Sequence, residues 1–459
     1  MTAEPVPAPA YPPQSSYAFA PGVTCVTTPA GAVLLNPPRS EKLSRLPTEQ
    51  LAVLKTLNLG PATLAQLSSS ADPATVGALI DQLLADGWLA VDVCDDDGER
   101  YRVEPFDRPV PSVAPRQPGQ RVLSRFAVVH RDRDGFVVEH PLGWCDIRIG
   151  DARLLPLLDG EAAAEVPEAL AARFVADLSR GGFLVAAGET EPDLATAGWS
   201  TPDLWFHRRS TLGSRTVSWE RFGPTKWAKD RFPQPPARRE TYPGDPVRLT
   251  TPDLATARAA DPPLTAVLED RVSTREFDDA APITADQLAE LLYRAARTRG
   301  SHTVGPGEEL LSRPYPSAGG VYELEVYPVV RHVAGLAAGM YHYDSFDHVL
   351  RPVADGESKA VQQLLKPASA TLAGGAQPQV LLVVAARAGR LLWTYEQIGY
   401  ALLLKDVGAL MQTLYLVGTA MGIGVCAQGY ADTASFAAAT GSAELAESAV
   451  GSVVVGSAR

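Results

Sequence analysis

The most informative segment of the chain reads Arg313-Pro314-Tyr315-Pro316-Ser317-Ala318-Gly319-Gly320-Val321-Tyr322, and it runs directly into a β-patterned segment. Pro316 restricts the backbone, whereas Gly319 and Gly320 lack a Cβ and can adopt left-handed conformations or lie flat against a ligand. A plain hairpin turn needs one or two such residues, and here five small or rigid ones follow each other. The segment therefore indicates either a structural turn or a loop that holds a planar or anionic ligand on its backbone.

Around this turn, residues 263–459 have the pattern of an α+β domain. The pattern predicts helices at 284–297, 357–365, 392–421 and 433–439, strands at 323–330, 380–386 and 451–456, and a hairpin at 340–350. The long helix at 392–421 is apolar on nearly all sides and long enough to span a membrane, but Glu396, Lys405 and Asp406 interrupt it. We therefore expect it to lie in a large core or a subunit interface.

Two further motifs could carry chemistry. Arg271, Ser273 and Arg275 alternate along the chain, so in an extended conformation two guanidinium groups and a hydroxyl project from one side. Such a group can bind a phosphate monoester, because planar guanidinium groups bind its oxygens in pairs; the alternative is a solvated pair of surface arginines. After the long helix, Gly422-Ile423-Gly424 offers a helix cap and a place for close backbone approach.

Composition and charge restrict the class of protein. With 459 residues the chain is too long for one ordinary domain. Its net charge of −12 argues against a general binder of nucleic acid or of membrane surfaces. The four cysteines lack paired spacing and the histidines lack ligand spacing, so we expect no metal site and no disulfide framework. Together with the absence of signal-peptide features in the first residues, this predicts a cytoplasmic protein.

The N-terminal half is predicted to hold a disordered tail at 1–22 and two winged-helix-like modules, at 23–110 and 121–187. The first module combines helices with a hairpin whose turn reads Asp95-Asp96-Asp97-Gly98. The second repeats the helix–glycine–strand pattern of the first in degenerate form, through either duplication or chance.

Binding of DNA by these modules is disfavoured. The helix over 73–86 carries aspartates and neither Lys nor Arg, which opposes phosphate binding. Peptide binding by strand addition and a purely structural role both remain open. Residues 188–262, rich in Pro, Arg and Trp, are predicted to be a linker wrapped on the neighbouring domain, because their many aromatic side chains would not all remain in water.

The three motifs together resemble a known family. R-x-S-x-R-x-F at 271–277, Pro-Ser-x-Gly-Gly at 316–320 and Gly-x-Gly at 422–424 are similar to the FMN-dependent nitroreductase fold. The form Arg-Pro-Tyr-Pro-Ser-Ala-Gly-Gly-Val-Tyr-Glu-Leu-Glu, with Tyr341-His342-Tyr343 following, resembles its azoline dehydrogenases, the streptolysin S and microcin B17 type oxidases of thiazole- and oxazole-modified peptides. The resemblance covers about residues 264–459. The N-terminal half is similar in organisation to cyanobactin and thiopeptide oxidases, in which modules resembling precursor-peptide recognition elements precede the flavin domain.

The resemblance implies a role for each motif. The phosphate and ribityl of FMN would be held by Arg271, Ser273 and Arg275, with Arg459 as a further phosphate contact. The isoalloxazine would lie against Pro316, Ser317, Ala318, Gly319 and Gly320. Its other side would be closed by Gly422, Ile423 and Gly424. FMN lies at a dimer interface in this fold, so a homodimer is implied as well.

One departure concerns the catalytic base. Several azoline oxidases carry a Lys-Tyr pair at the start of the central helix, where this chain has Thr394-Tyr395 followed by Glu396. Threonine cannot act as a base near neutral pH. Tyr395 is therefore the candidate proton acceptor or orienting group, with a buried aromatic as the alternative, and Glu396 could act as the base if desolvation raised its pKa.

The implied reaction is the FMN-dependent oxidation of a peptide thiazoline or oxazoline to the azole. A base would remove the Cα proton while hydride passes to the flavin, and dioxygen would reoxidise the flavin. The partners would be an azoline-containing, ribosomally made precursor peptide and a cyclodehydratase. Two alternatives are an NAD(P)H-dependent nitro- or ene-type reductase and a flavin-free scaffold that recruits a peptide.

Overall fold

The computed structural model describes residues 9–29, 31–69, 71–110, 121–187, 194–213, 215 and 222–459. The chain forms two compact units, Met1–Trp219 and Glu220–Arg459. Each unit has a hydrophobic core of its own.

The first unit mixes short strands with helices. Its described elements are β1 (Ser16–Phe19), β2 (Thr24–Thr28), β3 (Gly31–Asn36), β4 (Arg39–Ser44), α1 (Thr48–Leu59), β5 (Ala62–Thr63), α2 (Leu64–Leu67), α3 (Pro73–Ala85), β6 (Leu89–Asp95), β7 (Gly98–Pro105), β8 (Arg121–Leu123), β9 (Val128–Arg131), β10 (Phe136–Glu139), β11 (Cys145–Ile149), a 3₁₀ helix (Ala152–Asp159), α4 (Glu168–Arg180), β12 (Leu184–Ala186), α5 (Leu194–Ala197) and α6 (Thr201–Arg209).

One seven-stranded sheet runs through this unit in the order β5-β1-β6-β7-β11-β10-β9. Strand β7 pairs with β11, so the sheet joins the two segments that were predicted as separate modules. Both segments also contribute to one hydrophobic core. The order α1, β5, α2, α3 and the β6–β7 hairpin agrees with the pattern expected for the first module, but the identity of either segment as a winged helix stays a prediction.

The expected tail contains ordered structure. Strand β1 pairs with β5 and β6, and Tyr17 on it is buried in the core. The prediction of a disordered tail is therefore wrong for residues 9–22, because this segment has an apolar side chain to bury and two strand neighbours. Residues 1–8 lie outside the described residues.

The degenerate repeat has a structural counterpart. The N–H of Trp88 donates to the carbonyl of Leu83 at 2.9 Å, and the N–H of Phe183 donates to that of Leu178 at the same distance. In each case a glycine with positive φ precedes the aromatic residue. The two helices thus end in the same capping geometry, as a helix–glycine–strand pattern requires.

The predicted linker is divided between the units. Part of it, α6, lies in the first unit, where the indole N–H of Trp205 donates to the carbonyl of Phe126 at 2.9 Å. Residues 222–262 belong to the second unit. Residues 188–193 and 216–221, with Trp219 among them, lie outside the described residues.

The second unit has the predicted α+β pattern. Its elements are β13 (Val247–Arg248), α7 (Leu254–Ala260), α8 (Leu264–Asp270), α9 (Ala285–Ala296), β14 (Gly300–Gly305), β15 (Glu308–Ser312), a 3₁₀ turn (Ala318–Gly320), β16 (Leu324–Val330), β17 (Gly339–Asp344), β18 (Val349–Asp355), α10 (Lys359–Ala370), a second 3₁₀ turn (Ala373–Gly375), β19 (Val380–Ala386), α11 (Ala388–Leu392), α12 (Gly399–Ala420), β20 (Ile423–Gln428), α13 (Thr433–Thr440) and β21 (Ser448–Ser457).

A seven-stranded antiparallel sheet, in the order β13-β18-β17-β16-β19-β21-β20, forms the centre of this unit. Alternate residues of β19 point to opposite faces, as a strand requires. Leu382 and Val384 pack with α9 and α12, whereas Leu381 and Val383 pack with α10. The sheet is therefore buried on both faces, and α12 lies in the core, as predicted for the long apolar helix.

The long helix is shorter than predicted. Helix α12 begins at Gly399, and residues 393–398 form a turn that separates it from α11. The carbonyls of Leu392 and Thr394 accept hydrogen bonds from the indole of Trp227 and the N–H of Lys226 instead of continuing a helical ladder. Within the described residues α12 is long and apolar enough to cross a membrane by length and composition alone, a test that buried core helices also pass.

Candidate functional site

The segment Ser317–Gly320, which we call the glycine turn, has a backbone conformation that favours glycine at positions 319 and 320. Gly319 has φ 57° and Gly320 has φ 69°, both in the left-handed region that other residues rarely adopt. A Cβ on Gly320 would lie 3.5 Å from the carbonyl oxygen of Leu311 on β15. The turn therefore passes close to a neighbouring strand in a conformation that side chains would disturb.

A carboxylate from α12 holds the glycine turn. The hydroxyl of Ser317 donates to Oδ2 of Asp406 at 2.8 Å, and the N–H of Ala318 donates to the same oxygen at 2.9 Å. The Ser317 hydroxyl also accepts a hydrogen bond from the N–H of Tyr322 at 3.1 Å. Asp406 is buried. One side chain of the central helix thus fixes two consecutive residues of the turn.

A second carboxyl group, that of Glu323, lies beside the first. Its side chain is fully buried, and Oε2 is 3.5 Å from the hydroxyl of Ser317. Burial raises the pKa of Glu323 to about 8, and the charge of Asp406 and a hydrogen bond to it act in the same direction. Burial also raises the pKa of Asp406, against the hydrogen bonds from Ala318 and Ser317. Burial thus acts on both carboxyl groups in the same direction, toward the protonated form.

Tyr395 contacts the glycine turn, whereas Glu396 does not share its environment. The phenol oxygen of Tyr395 is 2.7 Å from the position that a Cβ on Gly319 would occupy. Burial, together with the charge of Asp406, raises the pKa of Tyr395, so the phenol stays protonated near neutral pH and is suited to donate a hydrogen bond. The predicted role of Glu396 as a base requires burial of its carboxylate. In the single chain this residue is exposed.

A segment that we call the strap, Phe222–Phe232, holds the turn that carries Tyr395. The indole of Trp227 donates to the carbonyl of Leu392 at 2.6 Å. In the reverse direction, the indole of Trp393 donates to the carbonyl of Phe232 at 2.8 Å. The position of Tyr395 therefore depends on a segment more than 150 residues earlier in the chain.

The predicted phosphate motif, which we call the arginine cluster (Arg271, Ser273 and Arg275), lies at the other end of α12. The guanidinium of Arg271 lies 5.3 Å from the ring centroid of Tyr415, and the hydroxyl of Ser273 is 2.8 Å from the phenol oxygen of the same residue. In the described part of the chain, neither arginine forms an ion pair with a carboxylate. The cluster thus offers two guanidinium groups that an anion could bind.

The structure also brings the Gly422–Gly424 segment and Arg459 to this cluster. The N–H of Thr274 donates to the carbonyl of Val425 at 3.0 Å, and a Cβ on Gly424 would lie 2.7 Å from the Cγ2 of Thr274. The N–H of Arg459 donates to the carbonyl of Glu276 at 3.4 Å. Three parts of the predicted site that are distant in sequence therefore meet at one place.

The two halves of the site lie on the same helix. Asp406 at the glycine turn and Tyr415 at the arginine cluster are nine residues apart, about 14 Å along the axis. Pro316 and Gly422 are exposed, whereas Ile423 is buried in the core. Guanidinium groups near the C-terminal end of α12, and a glycine turn that is exposed at Gly319 beside its N-terminal half, fit a ligand with a phosphate and a planar ring, as FMN has. No cluster of His, Cys, Asp or Glu that could hold a metal ion occurs among residues the structure describes.

Sequence reasoning missed three residues of the site. Asp406 was interpreted only as an interruption of an apolar helix, although an acidic residue on an otherwise apolar surface is a signal of a specific partner. Glu323 lies three residues after the glycine turn and could have been considered on that ground. Tyr415 gave no signal, because its contacts with the arginine cluster arise only from the fold.

The family comparison agrees with the α+β fold of the second unit. The model described as the nitroreductase family matches residues 268–457. The chain is 30% identical over 186 residues to MJ1384 of Methanocaldococcus jannaschii, which bears the name of a nitroreductase; the match covers 40% of this chain and 85% of that protein. The chain belongs to the nitroreductase family, and the predicted nitroreductase-like domain is confirmed.

A second relative is more specific. The chain is 29% identical over 122 residues to the microcin B17-processing protein McbC of Escherichia coli, across 26% of this chain and 44% of McbC. The match thus spans less than half the length of that relative, and it confirms the predicted resemblance to the microcin B17 type. Among solved structures, the E. coli microcin synthetase McbBCD complex with truncated pro-MccB17 bound matches at 18% identity and a TM-score of 0.34, covering 56% of this chain and 86% of that chain.

Proposed function

We propose that the protein is an FMN-dependent oxidase that converts peptide thiazolines or oxazolines to the aromatic azoles. One observation carries the proposal: Tyr395 meets the glycine turn at one end of α12, and open guanidinium groups lie at the other end. The similarity to McbC, a protein that processes microcin B17, supports a modified peptide as the substrate.

Each part of the chain would have a distinct task. The arginine cluster and Arg459 would bind the phosphate of FMN, and the backbone of the glycine turn would contact its ring. Bound FMN would supply the acceptor for two electrons and a hydrogen. Tyr395, protonated near neutral pH, would donate a hydrogen bond that orients the substrate ring, rather than act as a ready base.

The reaction would remove two hydrogens from the azoline ring. The Cα hydrogen would leave as a proton accepted by water, and the neighbouring Cβ hydrogen would leave with the electron pair of its bond, for which bound FMN would supply the acceptor. Aromatisation of the ring supplies driving force, and dioxygen is the final oxidant. Mass spectrometry of an azoline-bearing peptide after incubation with the flavin-loaded protein tests this. We expect a loss of about two mass units per ring, the two hydrogens removed, and an unchanged mass would contradict the proposal.

A second candidate is an NAD(P)H-dependent nitro- or ene-type reductase, which the similarity to MJ1384 favours. The two candidates differ in their need for nicotinamide. A reductase would lose its flavin absorbance rapidly when NADPH is added without oxygen, whereas an azoline oxidase would be bleached by the azoline peptide instead. A third possibility, a flavin-free scaffold, predicts a colourless protein that does not bind FMN.

The remaining expectations belong to the same proposal. The protein would act in the cytoplasm as a homodimer on a precursor peptide whose azolines a cyclodehydratase has formed. The N-terminal unit would hold that peptide by strand addition at the edge of its sheet. Hydrogen exchange of this unit with and without precursor peptide tests the last point, with protection expected along one edge strand.

A further inference from the structure

The glycine turn rests on a buried pair of carboxyl groups rather than on a single anion. Glu323 immediately precedes β16, and Asp406 lies within α12. Glu323 is fully buried and Asp406 nearly so. One Asp406 oxygen accepts both hydrogen bonds from the turn, at 2.8 and 2.9 Å. Two negative charges at this place would repel each other in a site that excludes water.

The surroundings of the pair do not neutralise it completely. Among the described residues, the charged or titratable groups beside the pair include Arg313, Tyr315, Arg390 and Tyr395. The guanidinium of Arg390 donates to the backbone carbonyls of Val321, Pro235 and Glu309, and to no carboxylate in the described residues. Oε1 of Glu323 has no hydrogen-bond partner among the groups the structure describes. With one proton between them, one carboxyl group can donate a hydrogen bond and the other can accept it, so the pair needs no additional cation.

We propose that Glu323 and Asp406 share one proton, and that this proton holds the glycine turn in the conformation that receives the flavin ring. The two carboxyl groups meet at the hydroxyl of Ser317, with Glu323 Oε2 at 3.5 Å and Asp406 Oδ2 at 2.8 Å, and Asp406 also accepts from the N–H of Ala318. Both are positioning residues, since they act on the ligand only through the turn. Loss of the proton places two anions side by side, and the turn then loses its fixed acceptor. The part of this inference that concerns the flavin rests on the proposed function, and the shared proton itself does not.

Stability of the flavin-free protein tests the shared proton directly. The pKa of Glu323 is raised from 4.5 to about 8, so the folded chain binds this proton more tightly than the unfolded chain does. Stability from this group is present below about pH 4.5 and is lost as the pH rises through about pH 8. In Glu323→Gln the amide donates to Asp406 at every pH. The unfolding temperature of this variant should match that of the native protein near pH 5 and exceed it increasingly up to about pH 9.

Three variants make the test decisive. Asp406→Asn keeps an oxygen acceptor for the turn and can donate to Glu323, so it should flatten the same part of the pH profile. Glu357→Gln removes an exposed carboxylate and should follow the native profile throughout. A Glu323→Gln profile parallel to the native one would overturn the proposal, because the titrating group would then lie elsewhere.

Binding of FMN gives the second reading. The affinity of the native protein for FMN should fall about tenfold per pH unit above about pH 8, whereas that of Glu323→Gln should stay constant. An equal fall in both proteins would contradict the role of the pair in holding the turn. If neither protein binds FMN, the proposed function fails while the stability profiles still decide whether the proton is shared.

Discussion

The phenol oxygen of Tyr395 lies 2.7 Å from the point where a Cβ on residue 319 would be, so glycine is required there by a neighbouring side chain as well as by its backbone. The Gly319→Ala variant should displace Tyr395 and weaken FMN binding at the glycine turn. The second 3₁₀ turn supplies a matched control. Gly374 has the same Ala-Gly-Gly sequence and φ 61°, with nothing within 4 Å of the added Cβ. Gly374→Ala should cost about 1–2 kcal/mol of stability from its backbone and leave FMN affinity unchanged.

Removal of the tyrosine hydroxyl should relieve that clash. In Gly319→Ala/Tyr395→Phe the hydroxyl is gone, and the nearest atom of the ring at position 395 would lie 3.7 Å from the added Cβ, an ordinary contact distance. The double variant should regain part of the FMN affinity that Gly319→Ala loses, as measured by flavin fluorescence titration. If the loss of FMN affinity in the double variant equals the sum of the losses in the two single variants, Tyr395 does not limit the space at this position.

The arginine cluster should distinguish FMN from riboflavin. Arg275 is exposed without a carboxylate partner in the described residues, so it is free to bind a phosphate. Arg275→Ala should weaken FMN binding by about 10- to 100-fold, the value of one charge-assisted hydrogen bond. Riboflavin, which lacks the phosphate, should bind both proteins equally, and the exposed Arg248 on β13 provides a control substitution without effect. Equal weakening for both ligands would place the phosphate elsewhere.

The strap should control the mobility of the turn that carries Tyr395. Trp227→Phe removes the 2.6 Å hydrogen bond to Leu392 and should cost about 1 kcal/mol. Amide hydrogen exchange over residues 392–398 should become faster. Trp144→Phe removes an equivalent indole hydrogen bond, to the carbonyl of Arg180 in the first unit, and should leave exchange at 392–398 unchanged. If Trp227→Phe also leaves it unchanged, the strap does not hold this turn.

The sequence predicted most of the local structure of the second unit, since strand alternation and helix periodicity follow from short-range pattern. Strand β19 agrees residue by residue, and the glycine turn has the left-handed backbone that its composition indicated. The sequence could not predict the break before Gly399, because its cause is a hydrogen bond from Trp227 that exists only after folding. The β14–β15 hairpin was missed as well. The role of Asp406 likewise depends on the approach of α12 to a turn 88 residues away.

A homodimer should form through an apolar row beside α12. Leu264, Leu268 and Val272 follow each other at four-residue spacing, are exposed at 66, 49 and 66%, and begin on α8, which packs against α12. Exposed apolar residues in such a row indicate a protein interface. Light scattering should therefore give twice the chain mass, and Leu268→Asp should give a monomer with weakened FMN affinity. Leu445→Asp makes the same change at an isolated leucine that is 93% exposed and should leave the dimer intact. A native protein with the mass of one chain would show the homodimer prediction to be wrong.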